Sequence, residues 1–480
     1  MAFLGVTNQT ILRLSTRLIE FHKSVQHLFK TKTRDVSNHA LTELKGSLLM
    51  ETQRTYTNVS RNVITPLDDG QNIQHFMSDS PWQHKPVFSL ICSQIMENKK
   101  LHGGMLCIDE SGDECSSSQK AGGNRQYFGR LGKIDLSQVG VVASYHQSQI
   151  WTLVEAELYY PKDWFTEPKK EEWKKLHIPK ETIFKTKLEI AKDLIDRTIS
   201  NGLDFNIVGA DNFYGRDGDF RDFIATKGKN YLCCTPYNTK VYLTEPIVGV
   251  PNKKEGKSRK PIHEKVLNQD PIIVNCLTNS LEFETIEIRN CERGILVYKH
   301  AFLPVWTLRE QISTNQTGEK YKKLHPVKEM LIIRLEHTGK YSYSFTNASI
   351  DTDHKQLALW RSDRYFVERT IQDTKSQAGW DELRSGKYRS YMHRLAIDAL
   401  AIWFVASAKL EEREYLVDNQ HVKEHDPIPD LSFANVRQLL LVAFPLNNIS
   451  KEESIKLVNR HLLNRARSTK CRLKKYHNRI

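Results

Sequence analysis

"GGMLCIDES" (residues 103–111) runs four apolar side chains, Met105 to Ile108, directly into an acid, Asp109. A short apolar run that starts after glycines and ends in polar chain reads as a buried strand, and Asp109 marks where it leaves the core. Outward from it, "VGVVASY" (139–145) and "IWTLVEAELYY" (150–160) read as two more strands. "KLEIAKDLIDRTI" (187–199) has helical periodicity, "FNIVGAD" (205–211) is a strand, a helix follows around 219–227, and "YLCCTP" (231–236) is another strand. Three strands in series and then strand–helix–strand alternation predict a mixed α/β sheet with helices packed on it.

The flanks differ in texture. Ile11, Leu14, Leu18, Phe21, Val25 and Leu28 recur at helical steps, and a second helical pattern covers about 41–63, so a small helical unit precedes the sheet and ends near "DSPW" (79–82). Such a unit either contacts DNA or serves as a packing module. After 237 comes a basic, breaker-rich loop, "NKKEGKSRKPIHEK" (252–265), then strand-like sequence over 285–350 and helical sequence from 356 to about 412. The β-rich stretch reads as an insertion into the α/β domain. The apolar run "LAIDALAIWFVASAKL" (395–410) is too short for a membrane span and contains Asp398, so it reads as a buried helix. The expected parts are 1–100, an N-terminal helical DNA-binding region, 101–236, the first part of the core, 237–352, the β-rich insertion, 353–412, the helical second part of the core, and 413–480, a C-terminal helical region with a basic tail.

The net charge is +13, from 70 basic and 57 acidic residues. That excess favours polyanionic partners, nucleic acid first. The tail 456–480 alone has nine Lys or Arg and no acid, suiting a solvated end or an arm on phosphates. Eight cysteines without a CxxC pair are expected as free thiols in a reducing compartment, and the N-terminus lacks the apolar core and cleavage site of an exported chain.

Two acids, Asp109 and Asp211, stand where a buried strand emerges, the edge at which open α/β sheets place ligands. Each could instead cap a turn. Glu110, Asp113, Asp217 and Asp219 follow them and are expected further into loops, held less firmly. A third acid comes from "RSDRYFVERTIQDTK" (361–375), where a continuous helix would put Arg361, Arg364, Glu368 and Lys375 on one face. Standing alone, this helix could equally be a surface stripe of alternating charge. Clustered carboxylates repel, and divalent cations relieve the cost. Mg²⁺ or Mn²⁺, two ions together, would suit in-line displacement at phosphorus, with Lys375 and the arginines gripping DNA phosphates.

These residues resemble those of bacterial insertion-sequence DDE transposases, in the branch with a β-rich segment between the second Asp and the final Glu. That branch carries Tyr, two residues, Arg, three residues, Glu, six residues, Lys. Here Arg364, Glu368 and Lys375 match, and Arg361 stands at the Tyr position. "GNRQYFGRLGKIDLSQVGV" (123–141) and "GADNFYGRDGDFRDFI" (209–224) also resemble the family, and the similarity covers about 75–410. The resemblance implies a ribonuclease-H-like mixed-sheet core with an inserted β-rich subdomain and flanking helical regions. It makes Asp109, Asp211 and Glu368 the catalytic, metal-holding triad, with Arg361, Arg364 and Lys375 positioning DNA phosphates. Where hairpin-forming members carry a base-holding Trp, this chain has Ser342 between Tyr341 and Tyr343, so these tyrosines are the candidates for base stacking. Trp306 reads as core.

The implied activity is metal-dependent cleavage of double-stranded DNA at terminal inverted repeats and strand transfer to target DNA, by a homodimer on DNA in the bacterial cytoplasm, nucleoid-associated, with no membrane role. Alternatives are a catalytically silent DNA-binding regulator of the same descent, or a nuclease of the same fold.

Overall fold

The computed structural model describes residues 8–66, 68–115, 117–129, 132–148, 150–252, 261–291, 294–314, 318–382, 384–418 and 431–447, with 459, 462, 463, 465–467 and 469–471. Positions 253–260 of the basic loop and most of the basic tail thus lie outside the described residues. Helices α1 (Asn8–Val25), α2 (Ser37–Leu49), α3 (Tyr56–Val63), α4 (Gln71–Ser78) and α5 (Lys85–Met96) come first. Strands β1 (Gly104–Glu114), β2 (Asn124–Phe128), β3 (Lys133–Gln147) and β4 (Ile150–Tyr159) follow, then α6 (Glu167–Lys170) and α7 (Lys187–Ser200). Next are β5 (Phe205–Ala210), α8 (Asn212–Gly215), α9 (Gly218–Thr226) and β6 (Asn230–Thr235). Short strands β7 (Lys240–Val241), β8 (Val248–Gly249), β9 (Lys265–Val266) and β10 (Ile272–Ile273) lead to β11 (Glu284–Cys291), β12 (Gly294–Thr314), β13 (Lys320–Leu335) and β14 (Tyr341–Thr346). The chain closes with α10 (His354–Asp363), α11 (Tyr365–Gln372), α12 (Tyr388–Asp418) and α13 (Phe433–Ala443). The fold is mixed α/β, in two compact units.

The first unit comprises 1–104, 108–204 and 366–480. Its strands centre on β3, antiparallel to β2 and to β4, with β1 beside it. α12 is the buried helix expected from residues 395–410: Leu395, Ala396, Ile397, Ala399, Leu400, Ala401 and Phe404 are all buried. A helix apolar around its whole circumference needs cover on every side, and α2, α4, α5 and β4 pack against it. The apolar stripe of α1 turns inward through Leu14, Leu18, Phe21 and Val25. The second helical pattern, read over 41–63, is two helices, α2 and α3. α7 starts on a capping box, with Thr186 and Glu189 each satisfying the other's backbone N–H. Among the described residues no helix is long and apolar enough to cross a membrane.

The second unit comprises 105–107 and 205–365. Its strand order is β11-β12-β13-β14-β6-β5, and Met105–Cys107 of β1 come next to β5. β5 and β6 are parallel; β14 is antiparallel to β6. The β-rich stretch therefore continues the sheet of the second unit through β14. This arrangement is compatible with a ribonuclease-H-like core. α10 covers β11 and β12 through a small cluster of Ile286, Ile288 and Ala358 with Phe302 and Leu359. β12 and β13 form a long ribbon, paired from Lys299↔Leu335 out to Thr314↔Lys320.

Candidate active site

Met105, Leu106, Cys107 and Ile108 are buried, and Asp109, the next residue, is half-buried. The strand thus leaves the core at the acid, as the sequence predicts. Asp109 Oδ1 accepts from the Glu110 N–H at 2.7 Å. The start of β1 is fixed by Tyr145, whose hydroxyl accepts from Gly104 N at 2.9 Å.

Beyond Asp109 the structure corrects the expected loop. β1 continues to Glu114 and stays beside β3, with Cys115 N donating to Leu136 O at 3.0 Å. Glu110 meets Lys187 Nζ at 2.9 Å, and Asp113 meets Lys375 Nζ at 2.5 Å. Lysines on a helix and on a helical turn satisfy the acids of this half-buried strand, so it need not break into a loop. Burial raises the Asp113 carboxyl above its usual range, and Lys375 opposes that rise.

Asp211 follows β5, whose Ile207 to Ala210 are buried. It is the N-cap of α8: Oδ1 accepts from Phe213 N at 2.9 Å and Tyr214 N at 3.3 Å. The capping alternative weighed for an acid at a strand end is therefore real here, and both cap bonds run to Oδ1. Asp217 likewise caps α9, through Phe220 N at 2.7 Å, and Asp219 is exposed.

The continuous helix expected through residues 361–375 is interrupted. α10 ends at Asp363, Arg364 sits in a turn, α11 carries Glu368, and Asp373–Ala378 form a π-helical turn closed by Gly379 at φ 103°. Glu368 is exposed, while Val367 and Thr370 on the same helix are buried. Phe366 stacks on His146 at 3.9 Å between ring centres and on Trp151 at 5.2 Å, which pins α11 to β3 and β4.

The basic residues of the motif have distinct surroundings. Arg361 is buried; its Nη2 donates to Ser342 Oγ at 3.0 Å and lies 3.7 Å from Glu336 Oε1. Arg364 is half-buried, and its aliphatic part crosses β5 at Gly209. A Cβ built at Gly209 would stand 3.4 Å from Arg364 Cγ and 2.9 Å from Cys107 Sγ, so the glycine makes room for both. Cys234 feels burial, which raises its thiol, but Arg361 and Arg364 outweigh it and draw it below its ordinary value. Lys375 donates to Gly112 O at 2.6 Å besides its pair with Asp113.

Tyr341 is half-buried against Phe283, 5.5 Å between centres. Tyr343 is buried, its hydroxyl donating to Asn275 Oδ1 at 2.8 Å. Trp306 is half-buried in β12, its backbone bridged to Tyr242 at 2.8 and 2.9 Å. Reading the sequence missed the firm placement of Asp113, although its position four residues after Asp109 is a signal: on an unbroken strand the two share a face.

A family model described as "DDE superfamily endonuclease" matches residues 24–294, more than half of the chain. The chain belongs to the DDE superfamily of endonucleases. The matched stretch contains Asp109 and Asp211 and ends before Glu368. This DDE endonuclease is also 32% identical over 171 residues to a protein of Microchaete diplosiphon described as "Probable transposase for insertion sequence element IS701". That alignment covers 35% of this chain and 41% of the relative, so the chain spans about two fifths of the length of the relative it matches.

A hard divalent cation such as Mg²⁺ or Mn²⁺ takes oxygen ligands, and Asp109, Asp211 and Glu368 each carry a carboxylate, a donor of that kind. Among the described residues, no three His, Cys, Asp or Glu side chains form a group that could hold a metal.

Proposed function

We propose that this chain is the transposase of a bacterial insertion sequence, cutting double-stranded DNA at the element's terminal inverted repeats and joining the freed ends to target DNA. The observation that carries the reading is the placement of two half-buried acids directly after buried strand residues, Asp109 within β1 and Asp211 just past β5, inside the stretch that matches DDE endonucleases. The transposase title of the Microchaete relative points the same way.

In this reading Asp109, Asp211 and Glu368 hold one or two Mg²⁺ or Mn²⁺ ions, which when bound activate an attacking oxygen and stabilise the leaving one at phosphorus. Arg364, half-buried and two residues past the end of α10's buried Arg361–Ser362 face, is the first choice for positioning a DNA phosphate. Arg361 and Lys375 would take phosphates only by exchanging Glu336 and Asp113 for them. Tyr341 is better placed than Tyr343 to stack on a base, because the Tyr343 ring is buried and Tyr341 is half-buried. The excess of 13 positive charges draws the chain to DNA, two element ends call for a homodimer on DNA, and the place of work is the bacterial nucleoid.

The test is incubation of the purified full chain with Mg²⁺ and linear DNA bearing the inverted repeats that flank its gene. Strand breaks at the repeat ends, lost in Asp109→Asn and Glu368→Gln, are expected. An intact substrate under Mg²⁺ and Mn²⁺ alike would leave a DNA-binding regulator. Cutting without preference for repeat ends would make the chain a general nuclease.

A further inference from the structure

We propose that Asp113 is a positioning residue for Glu368, acting through Lys375. The inference rests on Glu368 being a metal-holding carboxylate. It departs from the phosphate-gripping role that the family motif gives Lys375.

Lys375 Nζ is already enclosed. It lies 2.5 Å from Asp113 Oδ1, donates to Gly112 O at 2.6 Å, and sits 5.0 Å over the ring of buried Trp380. The two charged side chains are only 12% and 14% exposed. A lysine meant chiefly for DNA would present its ammonium to solvent on a flexible stem. This one spends its donors on the strand.

The geometry gives that pairing a purpose. Side chains alternate along a strand, so Asp113 projects from the same face of β1 as Asp109. Lys375 follows Glu368 by seven residues, in the π turn that continues α11 without a break. The Lys375–Asp113 pair therefore ties the far end of the Glu368 helix to the Asp109 face of β1. Phe366, stacked on His146 and Trp151, ties the near end. Glu368 stands between two pins. On a regular α-helix Lys375 would share the azimuth of exposed Glu368; the wider π turn carries it off that line to the strand.

The test uses the full chain, with Mn²⁺ binding followed by electron paramagnetic resonance of the free ion and amide hydrogen exchange followed over residues 365–378. Asp113→Asn and Lys375→Met should each weaken Mn²⁺ binding tenfold or more and speed exchange in 365–378. The double variant should be no worse than either single one, and Lys375→Arg should recover most of the affinity. Should Asp113→Asn fail to fold, Lys375→Met reads the same pair from its other side. Unchanged exchange and Mn²⁺ affinity in these variants, or additive losses in the double variant, would overturn the clamp. Glu368→Gln separates the two readings. If it leaves Mn²⁺ binding intact, the metal role of Glu368 falls, and with it the purpose of the clamp; if it abolishes binding while Asp113→Asn does not, the clamp alone falls.

Discussion

Arg394 donates from Nη1 and Nη2 to the same oxygen of Glu43, at 3.3 Å each, joining α12 to α2 across 351 residues of sequence. Asp398, one turn further along α12, lies 3.8 Å from Arg394 Nε and accepts from Ser47 at 3.1 Å. Two carboxylates thus share one guanidinium in the interior, with Arg54 also acting on Asp398. Burial, opposed by Arg394, pushes Glu43 up to about 7 and Asp398 up to about 6.

The sign of the pH dependence follows. Both acids hold their protons more tightly folded than unfolded, where the ordinary values are 4.5 and 3.8. Between those values and about 7 the folded state binds more protons, so stability falls as pH rises. The expected loss is on the order of 1–3 kcal/mol. Thermal melting across pH 4.5 to 7.5 should show the midpoint dropping, with a shallower slope in Glu43→Gln. A midpoint that climbs through this window would refute the raised Glu43 and Asp398 carboxyls.

Glu329 organises the second unit in the same manner but fully satisfied. Its carboxylate accepts from Arg221 at 2.9 and 3.3 Å, from Arg309 at 3.3 Å, from Tyr231 at 2.5 Å and from Thr307. Glu329→Ala leaves buried Arg221 without its carboxylate, while Arg309 keeps Asp222, at a cost of about 3–5 kcal/mol. Urea unfolding should show a loss of that size in unfolding free energy, against a change within experimental scatter for exposed Glu287→Ala.

Asp211 caps α8 and is proposed to hold a metal ion, and substitutions can split the two. Asparagine caps as well as aspartate, whereas alanine loses about 0.5–2 kcal/mol. Asp211→Asn should melt with the wild type yet fail to cut DNA in Mg²⁺; Asp211→Ala should fail to cut and also melt earlier. Cleavage by Asp211→Asn at the wild-type rate would remove this acid from the chemistry.

Gly209 is the place where Arg364 crosses β5. Gly209→Ala puts a methyl 2.9 Å from Cys107 Sγ and 3.1 Å from Met105 Sδ. Overpacking of this kind costs about 1–3 kcal/mol. Melting measures that cost, and a fall in DNA cleavage at temperatures where the variant remains folded measures the displacement of Arg364.

The sequence showed the strands well where chemistry changes sharply along them. Met105–Ile108 and Ile207–Ala210 are apolar runs cut off by an acid; β5 ends with its run, whereas in β1 burial ends there and the strand goes on to Glu114. The start of α7 was equally plain, because the helical periodicity read from residue 187 begins where the helix does, at Lys187. What stayed hidden depends on partners far away in sequence. Asp113 looks like a loop residue until Lys375 reaches it. The break at Arg364 and the π turn leave no mark in the periodicity of residues 361–375, because propensity does not record where a helix is pulled by what it packs against. The separation of Glu368 and Lys375, legible as motif spacing, is thus not an α-helical spacing in space.

The β12–β13 ribbon extends roughly 50 Å at 3.3 Å per residue. Glu329 grips it nearer the root than the tip, and Lys320, Lys322 and Lys323 stand at the outer end. A beam clamped that way behaves as a lever: a small tilt at the clamp sweeps the cationic tip through a much larger arc.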